Sequence, residues 1–187
     1  MEQAKKRDHK IFVTDIAIDK VPYISVKGLP IKLCKIIQKE HKEILRISQT
    51  ENESNEILTI MTVDGKHMVR IHGDEFEVDP SENVEAISLF TRAQPKELMY
   101  LHNHPSLNIF SMADIDTFVC ESKIVLLSVV TNQGNVYILY KNERYDYTLT
   151  RKFLIYLYKK YNGASEKMIN TFLKQSERVG ITYEKSK

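Results

Sequence analysis

The stretch LHNHPSLNIFSMAD, residues 101–114, carries the most specific pattern in this chain. It places two histidines one residue apart before a proline, and after a short loop it places a serine three residues ahead of an aspartate. Successive side chains of a strand alternate between its faces, so His102 and His104 are predicted to point in the same direction. Residues three apart share one face of a helix, so Ser111 and Asp114 are predicted to point together.

These residue types are typical of a catalytic metal site. Two neutral imidazoles and one carboxylate bind Zn²⁺ and leave a fourth tetrahedral position for water, whereas structural zinc sites are closed by four protein ligands. Each residue also has an ordinary interpretation, because Pro105 could simply end a strand and Ser111 with Asp114 could cap a helix. Capping is compatible with catalysis, since a capped helix would fix Asp114 at the metal. The complete order of residues favours the metal site.

The same stretch resembles the signature of the JAMM (MPN+) zinc metalloprotease family, which is a glutamate, then His-x-His-Pro, a loop and Ser-x-x-Asp. The run LHNHPS is most similar to the RadC-like bacterial branch, and the resemblance covers about residues 31–140. It implies a zinc-dependent peptidase or isopeptidase in which His102, His104 and Asp114 hold Zn²⁺ and Ser111 donates to the oxyanion. It also implies a protein or peptide substrate, such as a ubiquitin-like conjugate.

The loop between Pro105 and Ser111 departs from the family pattern. It has five residues, 106–110, where the family usually has six, and Ile109 and Phe110 make it more apolar than usual. The length of this loop bears on where Ser111 lies relative to the metal. The interval between Ser111 and Asp114 follows the pattern.

The resemblance also implies a catalytic glutamate near the start of the strand that follows the first helix. Glu56 opens the run EILTIMTV, whose nearly unbroken apolar character is typical of a buried strand. We therefore predict that Glu56 is the base that accepts a proton from the attacking water and passes it to the leaving amine. Glu53, in the polar run SQTENESN, is the alternative. Glu40 and Glu43 are predicted to lie on a solvated helix face.

Composition limits the class of protein without identifying a partner. The chain has 187 residues, of which 42% are hydrophobic and 28% charged, as expected for one sizeable globular core. The net charge of +2 gives no argument for nucleic acid, so nucleic acid is an unlikely partner. The two cysteines, Cys34 and Cys120, are predicted to be buried thiols in a reducing cytoplasm. Residues 1–10 lack the apolar core of a signal peptide, and no apolar run approaches the about 20 residues that span a bilayer.

The pattern of apolar residues predicts an α+β fold, a central mixed β-sheet flanked by helices as in the JAMM/MPN domain. We expect a flexible tail over residues 1–10, a catalytic domain over 11–145, and a C-terminal helical extension over 146–187 that packs on the core. Within these regions the predicted strands are 11–18, 23–26, 56–63, 66–71, 98–101, 124–130 and 135–140, and the predicted helices are 31–47, about 82–92 with Ser81 as its cap, 111–120, and two helices separated at Asn162 and Gly163.

Two other functions stay open at this point. The RadC-like character is compatible with a role in DNA repair or mobile-element biology, and MPN domains without metal ligands serve as non-catalytic interaction modules. The intact His-x-His and Ser-x-x-Asp pattern favours the metalloprotease over both.

Overall fold

Six strands form one mixed sheet between two layers of helices in the computed structural model, which describes residues 10–186. The predicted α+β class is therefore confirmed. Within this range the strands, in the sheet order β2-β1-β3-β4-β5-β6, are β1 Ile57–Thr62, β2 Met68–His72, β3 Leu98–His104, β4 Ile124–Thr131, β5 Val136–Lys141 and β6 Ile181–Lys185. The helices are α1 Asp15–Lys20, α2 Ile31–Glu51, α3 Val84–Arg92, α4 Met112–Cys120, α5 Tyr147–Tyr161 and α6 Ser165–Gln175, with a 3₁₀ turn over Ser176–Val179.

The two faces of the sheet are covered by different helices. Helices α1 and α2 pack on one face, where Ile37, Ile44 and Met99 are among the buried residues. Helices α3 to α6 pack on the other face, where Phe118 and Phe172 are buried. Two separate apolar clusters result, one on each side of the sheet.

Strand β3 lies at the centre of the sheet, and its two neighbours run in opposite directions relative to it. It pairs antiparallel with β1 and parallel with β4. A parallel pair needs a crossover connection, and helix α4 supplies it. The last residues of β3 therefore lie beside the start of α4, which positions the site described below.

The N-terminal segment differs from the two strands that the sequence predicts. Residues 15–20 form helix α1 instead, and residues 23–26 form no regular element. The Thr14 hydroxyl caps α1 by accepting from the Ala17 N–H at 3.2 Å. Asp15 lies in the first turn of α1 and Lys20 in the last, where they favour a helix, and Ala17 and Ile18 are its buried residues. The predicted tail lies outside the described residues except for Lys10, whose ammonium donates to Asn55 Oδ1 at 2.6 Å.

Glu40 is not on a solvated face as the sequence predicts. Helix α2 buries it against the sheet, where its carboxylate accepts two hydrogen bonds from Arg70 at 2.8 and 2.9 Å and one from Thr59 at 2.7 Å. A buried carboxylate needs such partners, and these lie too far along the chain for a helical pattern to reveal them. Glu43 does lie at the surface, paired with Arg46.

The C-terminal region contains the two predicted helices but does not end in them. After α6 and the 3₁₀ turn the chain enters β6, which pairs antiparallel with β5 and completes the sheet. The prediction of a purely helical C-terminal extension is therefore wrong, because the region also contributes a strand to the sheet. Helix α3 also begins later than predicted, because the Asn83 side chain, and not Ser81, accepts from the Ala86 N–H at 2.9 Å.

The two cysteines differ in burial, and the helices were compared with the length of a membrane span. Cys34 is buried as predicted, whereas Cys120 is exposed at the end of α4, so the prediction of two buried thiols is half wrong. Among residues 10–186, no helix combines the length and the apolar character needed to cross a bilayer.

Candidate metal centre

Strand β3 brings the two histidines of the motif together at its end. His102 and His104 lie on the same face of the strand, as alternation predicts, and both are buried. Their Nε2 atoms are 3.0 Å apart and their rings meet edge to face, with centroids 4.8 Å apart. Two imidazole nitrogens at this distance are directed at one point beside the strand.

The first turn of α4 supplies the carboxylate. Ser111 is the N-cap, and its hydroxyl accepts from the Asp114 N–H at 3.0 Å while the Asp114 Oδ2 accepts from the Ser111 N–H at 2.6 Å. This capping box turns the carboxylate toward β3, so that Asp114 Oδ1 lies 3.4 Å from His102 Nε2 and Oδ2 lies 3.5 Å from His104 Nε2. The five-residue loop is therefore long enough to bring the two parts of the motif together. Buried Phe110 anchors its end.

The three side chains fit a divalent metal ion. Their potential ligand atoms all lie within 4.8 Å of one another. The 3.0 Å between the two imidazole nitrogens is near the about 3.3 Å expected between two ligands of a tetrahedral zinc with bonds of about 2.0–2.1 Å. The Asp114 carboxylate approaches them with a different oxygen each, Oδ1 at 3.4 Å from His102 and Oδ2 at 3.5 Å from His104. His104 Nδ1 lies 2.9 Å from the carbonyl oxygen of Asn108. A carbonyl can only accept, so Nδ1 carries the proton and Nε2 keeps the lone pair that a metal requires.

Opposite charges dominate the electrostatics of this group. Burial opposes ionisation of Asp114, but His102 and His104 outweigh it and hold the pKa of its carboxyl well below the usual range. Burial also opposes protonation of His104, yet Asp114 and Glu56 raise its pKa above the ordinary value. A carboxylate that stays ionised beside two imidazoles is the charge state in which these residues bind a cation.

Glu56 lies beside the same cluster. It immediately precedes β1, is 7% exposed, and places Oε1 3.9 Å from His104 Nε2. Burial raises the pKa of its carboxyl, and the two histidines partly offset that effect. Glu53, the alternative base, is exposed in a left-handed turn with φ of 49° and does not line the cavity that Glu56 faces. The structure thus brings Glu56, and not Glu53, to the candidate centre.

Asn103, between the two histidines, fixes the position of Glu56 from the opposite face of β3. Its Oδ1 accepts from the Ile57 N–H at 2.7 Å, and its Nδ2 lies 3.1 Å from the carbonyl oxygen of Asn55. These two groups belong to the neighbours of Glu56 on either side. The β1–β3 pairing ends at Leu58 and His102, so the Asn103 side chain continues the contact where the strand ladder stops.

The partners of Asn103 in this network were not identified from the sequence. Asn103 Nδ2 also contacts Asn132 Oδ1 at 2.8 Å and Ser48 Oγ at 3.2 Å, and all three residues are buried. Asn132 in turn donates to the carbonyl oxygens of Ile11 and Ser54. A buried asparagine must have partners, so its place inside an apolar strand was the available signal, but no local pattern names the partners.

An open cavity of about 1790 Å³ adjoins the candidate ligands. It extends from the loop after β3 to the first residues of α6 and is bordered by the segment between β2 and α3. Glu56, His102, His104, Ser111 and Asp114 all line it. The candidate ligands therefore border open space at the surface of the fold.

Comparison with known proteins gives no match to a family model, to a curated protein or to a solved structure.

Proposed function

We propose that this chain is a zinc-dependent hydrolase of amide bonds, a peptidase or isopeptidase of the JAMM type. The observation that carries the proposal is the approach of His102, His104 and Asp114 to one point, with Glu56 3.9 Å from His104. The JAMM-like order of these residues in the sequence supports the same proposal. A carboxylate beside a three-ligand site is the arrangement that metal-assisted hydrolysis requires.

Zinc is the metal that this ligand set favours. Two imidazole nitrogens and one carboxylate oxygen are the ligands of many catalytic zinc sites, whereas magnesium and calcium prefer oxygen ligands alone. When bound, the ion would supply Lewis-acid polarisation of the scissile carbonyl and a lowered pKa of the attacking water. The Nδ1–H contact to Asn108 would hold the His104 ring in the orientation that the metal needs.

Glu56 is the proposed general base and then the general acid. Its carboxylate accepts a proton from the attacking water and later gives it to the leaving amine. Burial raises its pKa, which makes the carboxylate a stronger base for the first transfer. Ser111 is the proposed oxyanion donor, because its oxygen already accepts from the Asp114 N–H and its hydroxyl proton is available to the substrate.

A protein or peptide is the proposed substrate, with a ubiquitin-like conjugate as one example. The support is the size of the open cavity, which exceeds the roughly 300–1,000 Å³ of ordinary small-molecule sites. An extended polypeptide would lie across such a cavity and present one amide bond to Glu56.

Replacing the base tests this proposal. In zinc-loaded protein, Glu56→Gln is expected to keep about one zinc per chain and to lose hydrolysis of a fluorogenic peptide library by at least about 100-fold, since a carboxamide cannot accept the proton. Glu53→Gln is the matched control and is expected to keep both properties. Wild-type activity that survives complete removal of the metal, or a fully active Glu56→Gln variant, would contradict the proposal.

A further inference from the structure

The cavity extends past the histidines to Tyr100 on the same strand. Tyr100 precedes His102 by two residues, lies on the same face of β3 and lines the cavity. Its side chain is 8% exposed, and its hydroxyl has no hydrogen-bond partner among residues 10–186. No side-chain oxygen in that range is both sealed from solvent and unpaired, so this hydroxyl has access to the cavity.

A buried phenol hydroxyl without a protein partner is unusual, because tyrosine hydroxyls normally find one when they are buried. Away from the candidate ligands, the other buried side chains of the sheet, of α4 and of α6 that line the cavity are apolar. They are Leu58, Phe118, Ile124, Leu127 and Ile169. Their exposed fractions are at most 8%, so they form a closed apolar floor around one polar group.

The exposed rim of the cavity is acidic. Glu75, Glu77 and Asp79 line it from the segment between β2 and α3, and Glu166 lines it from α6. None of these four carboxylates forms an ion pair with another residue in the described part of the chain. Lys10 is the cation that lines the cavity with them. This concentration of negative charge is local, because the whole chain carries a net charge of +2.

Large apolar side chains lie between these charges. Phe76 is 79% exposed within the acidic segment, and Leu107 is 63% exposed in the loop after β3. Both line the cavity. An exposed aromatic ring surrounded by carboxylates is a suitable contact for the aliphatic stem and charged end of a lysine or arginine.

We infer that the cavity binds a basic polypeptide segment in which a tyrosine hydroxyl reaches Tyr100 at the cavity floor and lysine or arginine side chains contact the acidic rim. The tyrosine ring of the ligand would lie in the open part of the cavity, because Phe118 and Leu127 are 0% and 3% exposed and offer it almost no surface. Its hydroxyl would hydrogen-bond the Tyr100 hydroxyl. Charge complementarity selects a cationic occupant, and the same carboxylates repel nucleic acid. The inference rests on the proposed function for its purpose, since this segment would present the amide bond to Glu56.

Binding can be measured without turnover, in the full-length Glu56→Gln protein loaded with zinc. The probe is a fluorescent synthetic peptide with lysines on both sides of one tyrosine, followed by anisotropy at low salt. A matched peptide with glutamates in place of the lysines is expected to bind at least about tenfold more weakly. Replacing the rim carboxylates together (Glu75→Gln, Glu77→Gln and Asp79→Asn) is expected to weaken the lysine peptide about tenfold, and rising salt should have a similar effect.

The interior contact is tested by a double-mutant cycle. Exchanging the peptide tyrosine for phenylalanine is expected to weaken binding about fivefold, the value of one hydrogen bond. In Tyr100→Phe protein the two peptides should bind equally, because the partner hydroxyl is gone. A difference between the peptides that persists in Tyr100→Phe would overturn the proposed contact.

A second set of substitutions controls for net charge. Glu51→Gln, Glu85→Gln and Glu143→Gln remove three exposed carboxylates that do not line the cavity, and they are expected to leave peptide binding unchanged. An equal loss in both triple variants, or tighter binding of a single-stranded oligonucleotide than of the lysine peptide, would overturn the inference. If the wild-type protein binds the lysine peptide selectively but hydrolyses no amide bond, the inferred binding is supported and the proposed function is contradicted. Failure of the one can therefore be distinguished from failure of the other.

Discussion

Buried polar side chains have different partners on the two faces of the sheet, the one covered by α1 and α2 (the α2 face) and the one covered by α3 to α6 (the α4 face). On the α2 face each one has a protein partner: the Glu40 carboxylate is held by Arg70 and Thr59, and His41 Nε2 lies 2.7 Å from Ser128 Oγ. On the α4 face, two histidines and an aspartate have mainly one another as partners, beside an open cavity. The comparison shows that burial alone does not mark a functional group. A convergent set of ligand atoms that adjoins open space does.

The largest effect is expected from removing the layer that closes the α4 face. Truncation after Lys141 deletes Leu157, Phe172 and Ile181, which are fully or almost fully buried, and leaves β5 without its partner β6. Each such side chain contributes about 1.5–3 kcal/mol to a total stability of only about 5–15 kcal/mol. We expect the truncated chain to lose cooperative unfolding, as measured by circular dichroism during heating.

Every candidate ligand lies before Lys141, so the positions of the ligands alone would predict that the truncated chain still binds metal. Cooperative unfolding of the truncated chain, with about one zinc bound, would show that the C-terminal layer is an accessory to the core. A chain shortened only by Ser186 and Lys187 is the control and should unfold as the full chain does.

The next effect concerns metal binding and compares the two candidate histidine ligands with one histidine of the other face. His102→Ala or His104→Ala is expected to weaken zinc binding by more than about 100-fold, because each removes a direct ligand. His41→Gln should leave the zinc content unchanged, since His41 contacts Ser128 on the other face. Mass spectrometry of the metal content checks both. Equal zinc content in all three variants would mean that the cluster is not a metal site.

A smaller effect is expected from Asn103, whose side chain lies on the face of β3 opposite the histidines and holds the residues on either side of Glu56. Asn103→Leu keeps the volume but leaves the buried Ile57 N–H and the Asn132 side-chain oxygen Oδ1 without this partner, which should lower the free energy of unfolding by about 2–3 kcal/mol. Urea denaturation measures this loss. Asn135→Leu, at an exposed position, should change stability by less than about 0.5 kcal/mol. Similar stability of the two variants would contradict the proposed role of the network.

The smallest effect is a pH dependence on the α2 face. Burial, aided by the charge of His102, lowers the pKa of His41 from 6.5 to about 3. The unfolded chain therefore takes up a proton on His41 below pH 6.5 while the folded chain does not, and stability is lost as the pH falls from 6.5 toward 3. Between pH 7 and pH 5 this amounts to about 2 kcal/mol.

The difference between wild type and His41→Gln isolates that contribution. His104 changes the pH dependence of stability in the opposite direction, because its pKa is raised in the folded state. It is present in both proteins, so its contribution cancels in the difference between their unfolding free energies. The measured unfolding free energies should converge as the pH is lowered from 7 to 5. Parallel curves would show that His41 is protonated in the folded protein.

The candidate ligands could be predicted from sequence because their geometry is local. The alternation of a strand places His102 with His104, and the capping box places Ser111 with Asp114. Only the approach of one pair to the other depends on the tertiary structure. Glu56 could be predicted as far as its place before a buried strand. Its distance from His104 depends on the pairing of β1 with β3, which no local pattern contains.

The predictions that were wrong concern residues whose partners lie far away along the chain. Strand β6 is short and its last residues are polar, and it becomes a strand through its pairing with β5. Glu40 lies three residues after Ile37 and four before Ile44, on the buried face of α2, but its partner Arg70 is on β2 and no helical pattern predicts that contact. The Tyr100 hydroxyl has no hydrogen-bond partner among residues 10–186, and this could not be predicted either, because an unpaired group is recognised only once its neighbours are known.

The parallel pairing of β3 with β4 has a consequence for the order in which the site assembles. All three candidate ligands lie within residues 102–114, at the start of one crossover, so bringing them together closes only a short loop and costs little chain entropy. Glu56 belongs to a more distant strand, and its approach to the site closes a much longer loop. Folding can therefore bring the candidate ligands together before Glu56 reaches them, so a partly folded chain would present the ligand set without the carboxylate proposed as its base.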